Sequence, residues 1–211
     1  MTFYKKTNYL SRNKRRKDMN TFAKLLYKFV LFAVIVALGF SAIWVYGLGR
    51  NDYIFSEAGL LENMQNLVIL ASGLMFFFAF IKQGNTRNDM WITLFFVVLC
   101  YTFICREVDF ERLNMPEWAV FLFHGKGRNI SIAIAFAIIV IFALKDYKNY
   151  IKKSKELMLS SRGMLLILAA VALGTGSVCE HALDSEYFEE LLELVGYSCL
   201  LTAGYKTFKR K

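Results

Sequence analysis

The stretch LLENMQNLVILASGLMFFFAFIK, Leu60–Lys82, contains a long run without a charged residue between Glu62 and Lys82. A helix needs about 20 predominantly apolar residues to cross the hydrocarbon core of a bilayer, which is roughly 30 Å thick. This stretch has that length, and it carries an acid near its beginning and a lysine at its end. It therefore predicts a transmembrane helix with oppositely charged ends.

Similar apolar stretches recur along the chain. The 211 residues are 56% hydrophobic and 16% aromatic, with one proline, whereas a soluble domain is about 45–50% apolar. We predict an all-α fold, a polytopic membrane helix bundle with about six transmembrane helices. Residues 1–21 form a basic cytoplasmic tail, and residues 22–211 form a single transmembrane domain. The predicted spans are 22–48, 60–82, 90–105, 129–144, 164–181 and 187–206.

The charges are segregated between alternate loops of this six-span arrangement. The segments 1–28, 82–89, 145–162 and 206–211 hold 21 of the 26 Lys and Arg residues. The intervening segments 50–62, 106–128 and 179–193 hold 13 of the 17 acids and both histidines. Since cytoplasmic loops carry the excess of Lys and Arg, both termini are predicted to be cytoplasmic, in a bacterial inner membrane. The net charge of +9 is then explained by topology, and no nucleic-acid partner is expected.

Polar residues gather where the apolar stretches reach the outward face. Glu62 begins the second span, and the sequences REVD at 106–109 and CEHALD at 179–184 follow the third and fifth spans. All these ends should lie at one membrane face. The candidate site residues are Glu62, Arg106, Glu107, Asp109, His124, Arg128, Glu180, His181, Asp184, Glu190 and Glu193.

Glu193 is predicted to lie below the outer membrane interface. The charge-free run that follows it, 194–205, has only 12 residues, too few for a span of about 20. An ionised carboxylate costs a few kcal/mol inside a bilayer, so Glu193 should face the bundle interior and seek a partner. We also expect Arg106 to contact a carboxylate of another helix, with Glu62, Glu180 and Glu193 as candidates.

The outward residues allow several functions. Carboxylates suit Ca²⁺ or Mg²⁺, and histidines with carboxylates suit Zn²⁺ or Mn²⁺, so a divalent cation is one expected ligand and a lipid headgroup another. The candidate metal ligands are Glu180, His181, Asp184 and Glu193. The first alternative is a structural or partner-binding membrane subunit without a ligand site. A lipid-modifying enzyme and a cation- or proton-coupled transporter are further alternatives. Expected partners are membrane lipids, with a homo-oligomer or another membrane protein as open possibilities.

Three shorter segments add local predictions. The segment 114–125, with Pro116 near a helix start and an aromatic face, is typical of a short interfacial helix. The sequence HGKGRN at 124–129 has the glycines of a loop. The basic segment 145–156 predicts a cytoplasmic extension of the fourth span that attracts anionic headgroups.

Three motifs also carry a resemblance: EAGLLENMQ at 57–65, REVDF at 106–110 and FEELLEL at 188–194. Together they resemble bacterial polytopic inner-membrane proteins of unknown function, which have acidic motifs at the same helix ends. The resemblance covers about residues 57–200 and implies an inner-membrane location. It implies no activity.

Overall fold

The computed structural model describes residues 19–36, 38–39, 59–82, 87–108, 110, 115–183 and 186–210, with the backbone alone at 87–88, 180–183 and 186–187. This part of the chain is helical and contains no strand. Its helices are α1 Met19–Val36, α2 Leu60–Lys82, α3 Arg87–Glu107, α4 Glu117–Phe123, α5 Gly125–Leu144, α6 Tyr147–Met158, α7 Ser161–Leu183 and α8 Glu186–Lys209.

The predicted all-α membrane bundle is confirmed. Five helices are long and apolar enough to cross a membrane, namely α1, α2, α3, α5 and α7. The predicted sixth span corresponds to α8, which has 24 residues and a length of about 36 Å at 1.5 Å per residue. It carries more charged residues than the other five, with Glu186, Glu189, Glu190 and Glu193 near one end and Lys206 and Lys209 at the other.

Helix α8 lies in the interior of the bundle, against α2 and α7. Leu194, Tyr197 and Ala203 on this helix are fully buried. Two glycines permit the close approach: a Cβ atom at Gly196 would lie 2.8 Å from Leu173 Cγ of α7, and one at Gly204 would lie 3.1 Å from Met75 Cβ of α2. Small residues at helix crossings serve this purpose in membrane proteins.

Helix α1 packs on the same core. Its Val30 is fully buried, and the Tyr27 ring stacks on the Tyr205 ring of α8 with centroids 4.2 Å apart. Its other side exposes Phe29 and Phe32. The residues of the predicted first span beyond 39 lie outside the described part of the chain.

Helix α5 is the most exposed apolar element of the five. Although this helix is strongly apolar, Gly127 and Ile139 are its buried residues. Ile130, Ile134 and Ile141 each expose more than half of their surface. An apolar surface of this kind marks a membrane or protein contact, and membrane lipid is the expected neighbour of a spanning helix.

The connection between α4 and α5 corrects the sequence prediction. The short helix after Pro116 is confirmed as α4. The predicted loop at 124–129 is wrong, because α5 begins at Gly125 and His124 alone separates the two helices. Gly125 has φ +58°, a left-handed conformation that only glycine adopts without strain. The left-handed conformation of Gly125 therefore allows His124 alone to connect α4 to α5. This connection is called the α4–α5 corner.

A second correction concerns the basic segment after α5. It is a separate helix, α6, since α5 ends at Leu144 and a turn at Lys145 and Asp146 precedes Tyr147. A further turn at Leu159 and Ser160 leads into α7. Helices α3, α7 and α8 also extend beyond their predicted spans, because polar and charged residues continue them.

The bundle has two ends of different composition. The acidic end consists of the beginnings of α2 and α8 and the end of α3, and the basic end consists of α6, the beginnings of α3 and α7 and the ends of α2 and α8. At the basic end, Lys82 Nζ donates to the Phe208 carbonyl at 2.8 Å, and Lys206 Nζ donates to Ser161 Oγ at 2.6 Å. At the acidic end, the ends of α2, α3 and α8 that were predicted to lie at one face are joined by side-chain hydrogen bonds.

Candidate functional site

An ion pair joins α3 to α8 at the acidic end. Arg106, in the last turn of α3, donates from Nη2 to Glu193 Oε1 at 2.5 Å. Glu193 is 4% exposed, as expected for a carboxylate drawn below the interface. The prediction that Arg106 contacts a carboxylate of another helix is confirmed, and Glu193 is that partner.

Glu107 and Tyr197 close a network around this pair. Arg106 Nε donates to Glu107 Oε1 at 2.6 Å. The Tyr197 hydroxyl donates to the same oxygen at 3.1 Å and accepts from Arg106 Nη2 at 3.3 Å. Tyr197 was not predicted as a site residue, although it lies one helical turn after Glu193. That i, i+4 spacing is the signal that could have identified it.

Gln65 connects α2 to α8 close to this network. Its Nε2 donates to Glu190 Oε2 at 2.6 Å and to the Glu190 carbonyl at 3.0 Å. Gln65 is fully buried. Its Oε1 and the Oδ1 of the neighbouring Asn66 have no hydrogen-bond partner within the described ranges. Buried acceptors without a hydrogen-bond partner are uncommon, and a donor or cation from a bound molecule would satisfy them.

Glu190 has an unfavourable electrostatic environment. Glu107, Glu189 and Glu193 lie near enough to repel its carboxylate, and the Gln65 amide is the neighbour that stabilises it. No Lys or Arg side chain in the described part of the chain forms an ion pair with Glu190. The acidic cluster, defined as Gln65, Arg106, Glu107, Glu190, Glu193 and Tyr197, therefore contains three carboxylates and one guanidinium.

Arg128 and His124 lie beside the end of α3. Arg128 Nη1 donates to the Cys105 carbonyl at 3.0 Å, so its charge stabilises the carbonyl end of that helix. The His124 amide donates to the Val120 carbonyl at 2.8 Å, and its carbonyl accepts from the Arg128 amide at 3.3 Å. Arg128 therefore ties the α4–α5 corner to α3 at the residue before Arg106, whereas these hydrogen bonds of the His124 backbone lie within the corner itself.

The other predicted site residues are less well defined. Glu62 lies in the first turn of α2 and is half-buried. Asp109 and Asp184 lie outside the described residues, and Glu180 and His181 are described by their α7 backbone alone. Among the side chains that the structure describes, no group of three or more His, Cys, Asp or Glu residues is arranged to hold a metal ion. Three of the four predicted metal ligands are outside that set.

No family model, curated protein or solved structure matches the chain.

Proposed function

We propose that this integral membrane protein binds a cationic group at its acidic cluster, on the outward face of a bacterial inner membrane. The observation that supports the proposal is the surroundings of Glu190. Its carboxylate is half-buried, is repelled by three other carboxylates and receives a hydrogen bond from Gln65. A positive charge beside it would relieve that repulsion.

The neighbouring oxygen atoms have the chemistry that such a group requires. An ionised carboxylate in a poorly hydrated place is costly unless it is paired. Because Gln65 Nε2 is directed to Glu190, its Oε1 is left as an acceptor without a hydrogen-bond partner within the described residues. Carboxylate and amide oxygens are ligands of Ca²⁺ and Mg²⁺, and they also accept hydrogen bonds from an ammonium group.

Two sources could supply this cationic group. One is a divalent metal ion, for which Glu180, His181 and Asp184 are the further ligands predicted from the sequence. The other is the ammonium headgroup of phosphatidylethanolamine in the outer leaflet. Either group would place a positive charge between the Glu190 carboxylate and Gln65 Oε1. The same two variants, Glu190→Gln and its control Glu117→Gln, therefore test both sources.

The experiment compares thermal melts of the purified wild-type protein with those of Glu190→Gln. One arm adds EDTA, Ca²⁺, Mg²⁺ or Zn²⁺ in detergent, and the other uses nanodiscs of phosphatidylethanolamine or phosphatidylcholine. Glu117→Gln, which removes an exposed carboxylate on α4, is the matched control. We expect a cation-dependent rise in melting temperature in the wild type and Glu117→Gln and none in Glu190→Gln.

The outcomes separate the sources. A shift with one metal identifies a metal site, and a shift with phosphatidylethanolamine alone identifies a headgroup site. If neither cation source shifts the wild type and Glu190→Gln melts higher than the wild type under all conditions, the cluster has a structural role and the proposal is wrong.

A further inference from the structure

A large apolar cavity runs along α3 from Trp91, near the basic end, to Phe103, whose ring contacts Tyr197 of the acidic cluster. Its volume is about 650 Å³, and it separates α3 from α7, with α5 and α6 along its sides. The lining is almost entirely hydrocarbon, from residues such as Phe95, Leu99, Ile139 and Ala170. The volume is in the range of about 300–1,000 Å³ that is typical of ligand pockets.

This cavity continues into a smaller, polar one at the basic end. The second cavity, of about 220 Å³, shares Ile92, Phe96, Leu157 and Leu166 with the first. Beyond these shared residues its charged lining consists of three cations and two acids: Lys153, Arg162, Arg210, Asp89 and Glu156. A molecule that occupied both would place an apolar part in the bundle and a polar part at the membrane interface.

The polar cavity is rich in positive charge that acids balance only in part. Lys153 Nζ donates to Asp89 Oδ1 at 2.9 Å, and Arg210 Nη1 lies 3.8 Å from Asp89 Oδ2. Asp89 attracts Arg162 as well, while Arg162 and Arg210 repel each other. Asp89 thus interacts with three cations, and Glu156 is the other acid that lines this cavity.

Arg162 and Arg210 also line an open hollow of about 350 Å³ on the surface. Its other lining residues are Ser160, Ser161, Lys206 and Lys209, and it contains no acid. Since this hollow shares both arginines and Ser160 with the polar cavity, the positive charge is continuous from the polar cavity to the surface.

Trp91 supplies a hydrogen-bond donor at the apolar cavity. Its ring lines the cavity and stacks on Phe142 with centroids 4.2 Å apart. The indole Nε1 is buried and has no hydrogen-bond acceptor in the described part of the chain. A buried indole N–H usually has a partner, so an acceptor from a bound molecule would complete this position.

We propose that these joined cavities bind an anionic glycerophospholipid from the leaflet at the basic end. An acyl chain occupies the apolar cavity, an ester carbonyl accepts from Trp91 Nε1, and the phosphate lies between Arg162 and Arg210. A zwitterionic headgroup would bring its ammonium group toward the four cations of the surface hollow, Arg162, Lys206, Lys209 and Arg210. The selectivity for an anionic lipid follows from that repulsion and from the attraction of basic clusters for anionic headgroups.

The test measures lipid retention by native mass spectrometry of the full-length protein, titrated in detergent with phosphatidylglycerol, phosphatidylcholine or oleate. The charge variant is Arg162→Gln with Arg210→Gln, and its control is Lys148→Gln with Lys152→Gln, two exposed cations of α6 outside these cavities. We expect phosphatidylglycerol to bind the charge variant roughly tenfold or more weakly and the control as tightly as the wild type.

A second pair of variants tests the apolar cavity. Ala170→Phe fills the cavity from α7, whereas Val171→Phe adds the same ring at an adjacent position that is 59% exposed and does not line it. We expect Ala170→Phe alone to lose bound phosphatidylglycerol, with both proteins melting as the wild type does. Equal retention of phosphatidylglycerol and phosphatidylcholine by the wild type, preference for oleate, or equal losses in the site and control variants would overturn the proposal.

Discussion

Arg106 of α3 and Glu193 of α8 meet at 2.5 Å although they are 87 residues apart in the chain. The pair is asymmetric, since the Arg106 side chain is 52% exposed and that of Glu193 is 6% exposed. Substitution of the two residues should therefore have unequal effects. Loss of Arg106 would leave a buried carboxylate beside Glu190, whereas loss of Glu193 would leave a guanidinium that retains Glu107 and solvent.

The first prediction concerns this asymmetry. Arg106→Gln should destabilise the protein by up to about 3 kcal/mol. This is the lower end of the roughly 3–5 kcal/mol lost when a fully buried pair is broken, because half of the Arg106 side chain is solvated. Glu193→Gln should cost less. Adding Glu193→Gln to Arg106→Gln should restore part of the loss, as measured by a double-mutant cycle in thermal melts. Additive effects would show that the two side chains are not coupled.

The second prediction concerns the Tyr197 hydroxyl, which bridges Glu107 and Arg106. Tyr197→Phe keeps the ring and its contact with Phe103 and removes hydrogen bonds to charged groups, worth about 1.5–3 kcal/mol. A melting temperature lower by roughly 3–12 °C follows at about 2–4 °C per kcal/mol. Tyr205→Phe on the same helix keeps its stack on Tyr27 and should melt as the wild type does. Equal melting temperatures for both variants would contradict a role for the bridge.

The spans and the charged ends could be predicted because their signals are local. Hydropathy over about 20 residues identifies a spanning helix, and the short charge-free run after Glu193 indicated its burial. Tyr197 was missed because a tyrosine within an apolar stretch contributes to its hydrophobic pattern and gives no separate polar signal. The cluster of Asp89, Lys153 and Arg210 was missed for another reason, since these residues come from three distant segments that no sequence spacing relates.

The glycines of the α4–α5 corner show a different limit. In sequence they indicate a loop, but the structure uses them to join two helices. Gly125 supplies a positive φ, and a Cβ atom at Gly127 would lie 1.9 Å from the Phe121 carbonyl oxygen. Only the packing of α4 on α5 distinguishes this use from a flexible loop.

The third prediction compares two glycines of α7. A Cβ atom at Gly163 would lie 2.0 Å from the Leu157 carbonyl oxygen, whereas one at Gly174 would meet nothing within 4 Å. Gly163→Ala should force α6 away from α7 and lower the melting temperature by several degrees. Gly174→Ala should be neutral or stabilising by up to about 1 kcal/mol, since alanine favours helix over glycine. An unchanged melting temperature for Gly163→Ala would contradict the close contact between Gly163 and the Leu157 carbonyl.

The fourth prediction concerns which helices cross the membrane. Trp118 on α4 and Leu159 in the α6–α7 turn are 68% and 88% exposed, and α5 is the span between them. With Cys179→Ser and Cys199→Ala removing the partly accessible thiols, an impermeant maleimide should label Trp118→Cys in intact spheroplasts. It should label Leu159→Cys only in inside-out vesicles, because 21 of the 26 Lys and Arg residues are on that side in the six-span arrangement.

Lys209→Cys, at the end of α8, decides whether α8 is the sixth span. If α7 and α8 both cross, this position lies on the same side as Leu159→Cys and is labelled only in inside-out vesicles. If α8 does not cross, Lys209→Cys is labelled from the outside together with Trp118→Cys. We expect the first result, because Leu194, Tyr197 and Ala203 are fully buried against helices that cross. Lys82 of α2 also contacts the Phe208 carbonyl at the basic end, which places the last turn of α8 beside the end of a spanning helix.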